Sequence, residues 1–174
     1  MDPGLIQQNI TKETVLVSIQ HGNPEIGTLQ PINDISRICR ERNILLHSDC
    51  VQTFGKIDIK QTAAAVDALS VSGHKFHAPK GTGAAFIRPQ ITWQPFLEET
   101  SHEKGFRPGT VNAPGVLAMT AAAEKATASL DQTNARLCSY CVPNLYSPLL
   151  EYPKKSSFMV HLEHHSWLDL LEWG

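Results

Sequence analysis

Apolar residues fall in short runs separated by polar loops, and the spacing within the runs alternates between strand-like and helix-like. Thr14 to Ile19 reads T-V-L-V-S-I, a β-branched run that predicts a buried strand. The next stretch, His21 to Thr28, holds Gly22, Asn23, Pro24 and Gly27 and predicts a loop. Ile32, Ile35, Ile38 and Cys39 then recur on one helical face while Arg37, Arg40 and Arg42 lie largely off it, which predicts a helix from Ile32 to Arg42 ended by Asn43. Ile44 to Asp49 is apolar before turning polar and predicts a second strand. Val66 to Val71 and Ala84 to Ile87 are further strand candidates around a loop rich in Gly, Pro and His, and Ala113 to Leu130 is alanine-rich and helical.

Strand–helix–strand order with short apolar strands predicts an α/β fold with a mainly parallel sheet covered by helices. Ligands of such sheets gather at the carboxyl ends of the strands. Residues 1–130 form one expected unit. Residues 131–174 form another, a tail without clear alternation in which Ser166 to Trp173 has roughly helical spacing.

Composition narrows the class. A 41% hydrophobic and 18% charged chain of 174 residues supports one ordinary domain with its own core. The net charge of −2 offers no footprint for nucleic acid or an anionic membrane, and no apolar run approaches a membrane span. The acidic start, Met1-Asp2-Pro3-Gly4, does not read as a secretory signal, so a cytoplasmic location is expected. A mitochondrial one would require a eukaryotic source and an upstream extension. Four cysteines make no disulfide framework and are expected to be reduced thiols.

Candidate chemistry collects at the predicted strand ends. Ser72-Gly73-His74-Lys75 brings a hydroxyl, an imidazole and an amine onto one loop leaving a strand, and Asp49 ends a different strand with Gln52 one helical turn later. Taken singly, a loop lysine is ordinarily a solvated charge, an Asp before a turn an N-cap, and Ser72 and His74 partners of loop backbone. Together they meet what pyridoxal phosphate asks of a protein: a lysine to bond it, an acid to pair with the pyridine nitrogen, and donors for the phosphate.

Four blocks carry a resemblance across residues 1 to about 128: E-T-V-L-V-S-I-Q-H-G-N-P-E-I-G-T-L-Q-P-I (Glu13 to Ile32), H-S-D-C-V-Q-T-F-G-K (His47 to Lys56), S-G-H-K-F-H-A-P-K-G-T-G-A (Ser72 to Ala84) and G-F-R-P-G-T-V-N (Gly105 to Asn112). In order and separation they resemble the cysteine desulfurases of the class V aminotransferase family. The resemblance implies a partial large domain of a fold type I pyridoxal-phosphate enzyme. It implies that Lys75 is the Schiff-base lysine and proton-transfer base, that Asp49 pairs with the pyridinium, and that Gln52 contacts the ring oxygen. Ser72 and His74 would hold the phosphate. Thr110 would reach the phosphate bound by a neighbouring copy, which implies a homodimer. The implied substrate is L-cysteine, converted to alanine with the sulfur left as an enzyme persulfide for a sulfur-acceptor or scaffold protein, as in iron–sulfur cluster assembly. Another class V activity, such as selenocysteine lyase, or a non-catalytic fragment of the family are the alternatives.

The chain also departs from that pattern. The family's upstream segment, with the histidine that stacks on the cofactor, has no counterpart here, and His21 is not that histidine. Pro24 stands where the family has an asparagine at the ring oxygen, with Asn23 beside it as a substitute. Cys50 follows Asp49 directly, so it should point away from the cofactor as a core thiol, and Cys39 lies on the apolar helix face. No cysteine is assigned the persulfide role. Cys138-Ser139-Tyr140-Cys141 with His161 and His165 has a zinc-like C-x₂-C…H-x₃-H pattern. The 19 residues between its halves exceed finger spacing, so accidental placement in a diverged tail is the expectation, and no metal.

Overall fold

The computed structural model describes residues 1–95, 97 and 102–139. A short helix, α1 (Pro3–Asn9), precedes strand β1 (Leu16–Gln20); its N-cap is Asp2, whose carboxylate accepts from Gly4 N. The pattern gave no sign of α1, a short helix in which only Ile6, with Ile10 just past its end, packs on the core. The expected loop after β1 is a tight hairpin, because Gly22–Asn23 (β2) pair antiparallel with Thr28–Leu29 (β3) and only 24–27 form the turn.

Helix α2 (Ile32–Glu41) buries Ile32, Ile35, Ser36 and Cys39. Ser36 completes this face where Ile38 was expected, since Ile38 is only half-buried. The serine is accommodated because its hydroxyl donates to Ala65 O at 2.6 Å. Asn43 ends the helix at φ 55°, a left-handed position that asparagine tolerates well. β4 (Leu45–Asp49) follows, and then α3 (Lys60–Ala65), a helix that the periodicity did not indicate. The last carbonyls of α3 would otherwise lack partners; Arg40 and Arg88 donate to Ala64 O and Arg40 also to Ala65 O.

β5 (Ala68–Ser72) leads through a 3₁₀ turn (Gly73–Phe76) to β6 (Gly83–Ile87). The sheet order is β1-β4-β5-β6; the first two pairings are parallel and β5–β6 is antiparallel. Residues 73–82 are too few for a parallel crossover, so the chain returns as a hairpin. The core lies between α2 and one sheet face, around Ile19, Ile35, Leu46, Val66 and Leu69. Each of these large side chains contributes about 1.5–3 kcal/mol on burial. Helix α4 (Ala113–Ala128) is capped by Asn112, whose Oδ1 accepts from Gly115 N, and lays Met119, Ala122, Ala123 and Ala126 against that core. A further helical stretch occupies 130–139.

Candidate functional site

Parallel pairing brings the carboxyl ends of three strands to one edge. Gln20 lies opposite Asp49, and Asp49 opposite Ser70. Neighbours in register share a face and side chains alternate along a strand, so Asp49, Ser70 and Ser72 project from the same side of the sheet. His47 lies on that side too, with Nδ1 2.8 Å from Ser18 Oγ and Nε2 3.2 Å from Ser70 Oγ. This imidazole bridges three strands beneath Asp49. It sits inside a quoted motif, but its neighbours on either strand are not visible from sequence.

Asp49 is half-buried, and its Oδ1 accepts from Val51 N at 2.9 Å, which fixes the carboxylate at the head of the turn that follows. Gln52 lies in that turn, its Oε1 accepting from Lys56 Nζ at 3.4 Å. Lys56 was not among the sequence candidates; the signal was the Gln52–Lys56 helical spacing inside a turn. Burial, and then the nearby charge of Lys75, hold the Lys56 ammonium below its ordinary range. No carboxylate pairs with Lys56 among the described residues.

Past β5, Ser72 Oγ and His74 Nδ1 are 2.9 Å apart. Gly73 between them is packed so closely that a Cβ there would stand 2.5 Å from Thr82 Oγ1, and its N–H donates to Thr82 O. The 3₁₀ turn closes on His77 at φ 71°, a strained left-handed position for a residue with a side chain. Lys75 is half-buried within it. A cleft of about 250 Å³ lies between this turn, residues 55–57 and the helices around Ala126 and Thr133. Lys56 and Lys75 line it, and Asp49, Gln52, Ser72 and His74 do not. Gly55 lets these segments meet: it turns at φ 72°, and a Cβ there would lie 3.0 Å from Ala126 Cβ and 3.1 Å from Phe76 Cβ.

Not every candidate joins the cluster. Thr110 is exposed on the segment before α4 and makes no hydrogen bond with Ser72, His74 or Lys75. The Asn23 side chain closes its own hairpin, Oδ1 accepting from Glu25 N at 2.9 Å and Ile26 N at 3.4 Å. Cys50 and Cys39 are buried, at 0% and 1% exposure, and burial raises both thiols above their ordinary range. Among the described residues no group of His, Cys, Asp and Glu has the makings of a metal site. Cys141, His161, His165 and the stretch Ser166 to Trp173 lie outside the described residues. No helix among the described residues is long and apolar enough to cross a membrane.

The donor set at the strand ends has the chemistry that pyridoxal phosphate requires. It offers an amine, a carboxylate, and a hydroxyl–imidazole pair able to receive a phosphate.

The model of the aminotransferase class-V family matches residues 1–148, beyond the point near residue 128 where the recognisable blocks end. A NifS protein of Bacillus subtilis (strain 168) is 51% identical over 132 residues, which are 76% of this chain and 33% of that protein. Cysteine desulfurase IscS of Dictyoglomus turgidum is 41% identical over 137 residues, 79% of this chain and 35% of that protein. Among solved structures, a NifS-like protein superposes with a TM-score of 0.78 at 36% identity, covering 86% of this chain and 41% of that one. SspA in complex with cysteine superposes at 0.67 and 36% identity, covering 71% and 36%. The chain thus spans about a third of the length of the relatives it matches.

Proposed function

The chain belongs to the class-V aminotransferase family, and we propose that it is the cofactor-binding portion of a cysteine desulfurase that uses pyridoxal phosphate to remove sulfur from L-cysteine. The observation that carries this reading is that Asp49 and the Ser72–His74 pair stand at the carboxyl ends of adjacent strands, with Lys75 in the turn that follows directly. The cysteine desulfurase relatives and the cysteine complex of a similar protein support the reaction and substrate.

When bound, pyridoxal phosphate supplies an electron sink for the electrons of the substrate's Cα–H bond. Lys75 Nζ would hold the cofactor and would serve as the base for the substrate's Cα proton. The Asp49 carboxylate keeps a proton on the ring nitrogen, and Gln52 orients the ring oxygen. The Ser72 hydroxyl and the His74 imidazole bind phosphate oxygens as donors. Thr110, exposed and unengaged with these residues, donates to the phosphate held by a second copy, which makes the working unit a homodimer. Residues 1–130 supply every proposed cofactor contact, and Thr133 on the helical stretch that follows lines the cleft beside Lys75. The thiol that receives the sulfur is neither Cys39 nor Cys50, whose burial keeps them protonated and out of reach. Delivery of that sulfur to an acceptor or scaffold protein follows from the same reading.

The test is a visible absorption spectrum of the purified chain with pyridoxal phosphate, beside Lys75→Ala. A Schiff-base band in the wild type that is missing from the variant is expected. No band in either, with the chain folded, would overturn the assignment of a cofactor site to this polypeptide.

A further inference from the structure

His21 is 5% exposed and sits on the core side of the strand ends, opposite the face that carries Asp49. Its main chain is held from both directions: His21 N donates to Asp49 O, and Gln30 N donates to His21 O, each at 2.9 Å. Its ring is held as well. Nδ1 is 3.0 Å from Thr53 Oγ1 and 3.9 Å from Cys50 Sγ, and Nε2 is 3.3 Å from Thr62 Oγ1. Thr53 belongs to the turn that follows Asp49 and contains Gln52, while Thr62 belongs to α3. One imidazole therefore ties β1, that turn and α3 together.

The hydrogen inventory favours one tautomer. The Thr53 hydroxyl has one hydrogen and a second acceptor within reach, Cys50 O at 3.4 Å. The Cys50 thiol has Ser48 Oγ at 3.8 Å. Both partners of Nδ1 thus have another acceptor for their hydrogen and are free to accept from the ring. The Thr62 hydroxyl, 3.3 Å from Nε2, is then free to donate to it.

We propose that His21 is a positioning residue, a neutral imidazole with its proton on Nδ1, that holds the turn carrying Gln52 in register with Asp49. Its functional meaning rests on the reading of Asp49 and Gln52 as cofactor contacts; the geometry it asserts does not. With Nδ1 donating and Nε2 accepting, every polar atom of the ring is satisfied without a charge, and the turn has one arrangement that satisfies it. The Nε2–H tautomer would require Thr53 to turn its hydrogen from Cys50 O to Nδ1 and Thr62 to accept instead of donate.

The experiment uses the 174-residue chain without cofactor. Long-range ¹H–¹⁵N correlation of the imidazole reads the tautomer, and amide exchange reads the turn through Thr53 N and Phe54 N, which both donate to Cys50 O. In His21→Asn the amide nitrogen replaces Nδ1, and in His21→Gln it replaces Nε2. The proton should be found on Nδ1. Thr53 and Phe54 should exchange about tenfold faster in His21→Gln and Thr53→Val, and near the wild-type rate in His21→Asn, with α2 amides unchanged throughout. A proton on Nε2, equal loss in the Asn and Gln variants, or equal acceleration across α2 would each overturn the proposal. The spectrum of the wild-type chain with pyridoxal phosphate tests the cofactor reading separately, so the two can fail independently.

Discussion

Ser72 Oγ and His74 Nδ1 stand 2.9 Å apart across a glycine that cannot be enlarged, so a hydroxyl and an imidazole are presented as one unit at the end of β5. Such a pair suits a phosphate dianion. Hydrogen bonds to a charged acceptor contribute roughly 1.5–3 kcal/mol. Ser72→Ala is therefore expected to weaken pyridoxal phosphate binding by about 10- to 100-fold in an absorbance titration. An unchanged dissociation constant would remove Ser72 from the phosphate site.

His21 makes stability depend on acid. Its folded-state pKa is lowered from 6.5 to about 4 by burial. The unfolded chain therefore takes up the proton first as pH falls, and the stability present above pH 6.5 is lost on the way down to about pH 4. The loss attributable to this group is on the order of 3 kcal/mol. Urea unfolding at a series of pH values should show it, and His21→Asn should flatten that part of the curve.

Lys56 follows the same sign at the alkaline end. Burial and the neighbouring Lys75 lower its pKa, so its charged form opposes folding at neutral pH and that cost disappears as pH rises through the ordinary lysine range. Lys56→Met should leave thermal stability equal or higher at neutral pH, with the difference from wild type shrinking at high pH. A clear loss of stability at neutral pH would show that the bond to Gln52 outweighs the desolvation cost.

Gly55 is the steric hinge of the cleft. Alanine there would have to adopt φ 72° and meet Ala126 Cβ at 3.0 Å. Gly55→Ala should cost about 1–3 kcal/mol, read as a lower urea midpoint with unchanged slope. An unshifted midpoint would mean that α4 can move aside freely.

The two core thiols should behave as structural groups. Alkylation of the native chain, mapped by mass spectrometry, should leave Cys39 and Cys50 unmodified until the chain unfolds. Rapid modification of Cys50 would reopen it as a sulfur acceptor.

The sequence by itself determined the α/β class and the positions of β1, α2, β4, β5, β6 and α4, and it put Asp49, Ser72, His74 and Lys75 forward as candidates for one chemistry, because period, turn residues and local motifs are properties of contiguous residues. Its failures share a cause. The helices α1 and α3 are too short to show a period, and Ser36 is tolerated on the buried face beside a half-buried Ile38 because Ala65 O on α3 lies within reach of its hydroxyl. Only the tertiary structure decided which side chains face one another across strands. It joined His47 to Ser18 and Ser70, set Lys56 beside Lys75, committed Asn23 to its own hairpin, and placed His21 between Thr53 and Thr62. Those contacts depend on strand register and helix packing, which arise from residues far apart in the chain and leave no local trace in it.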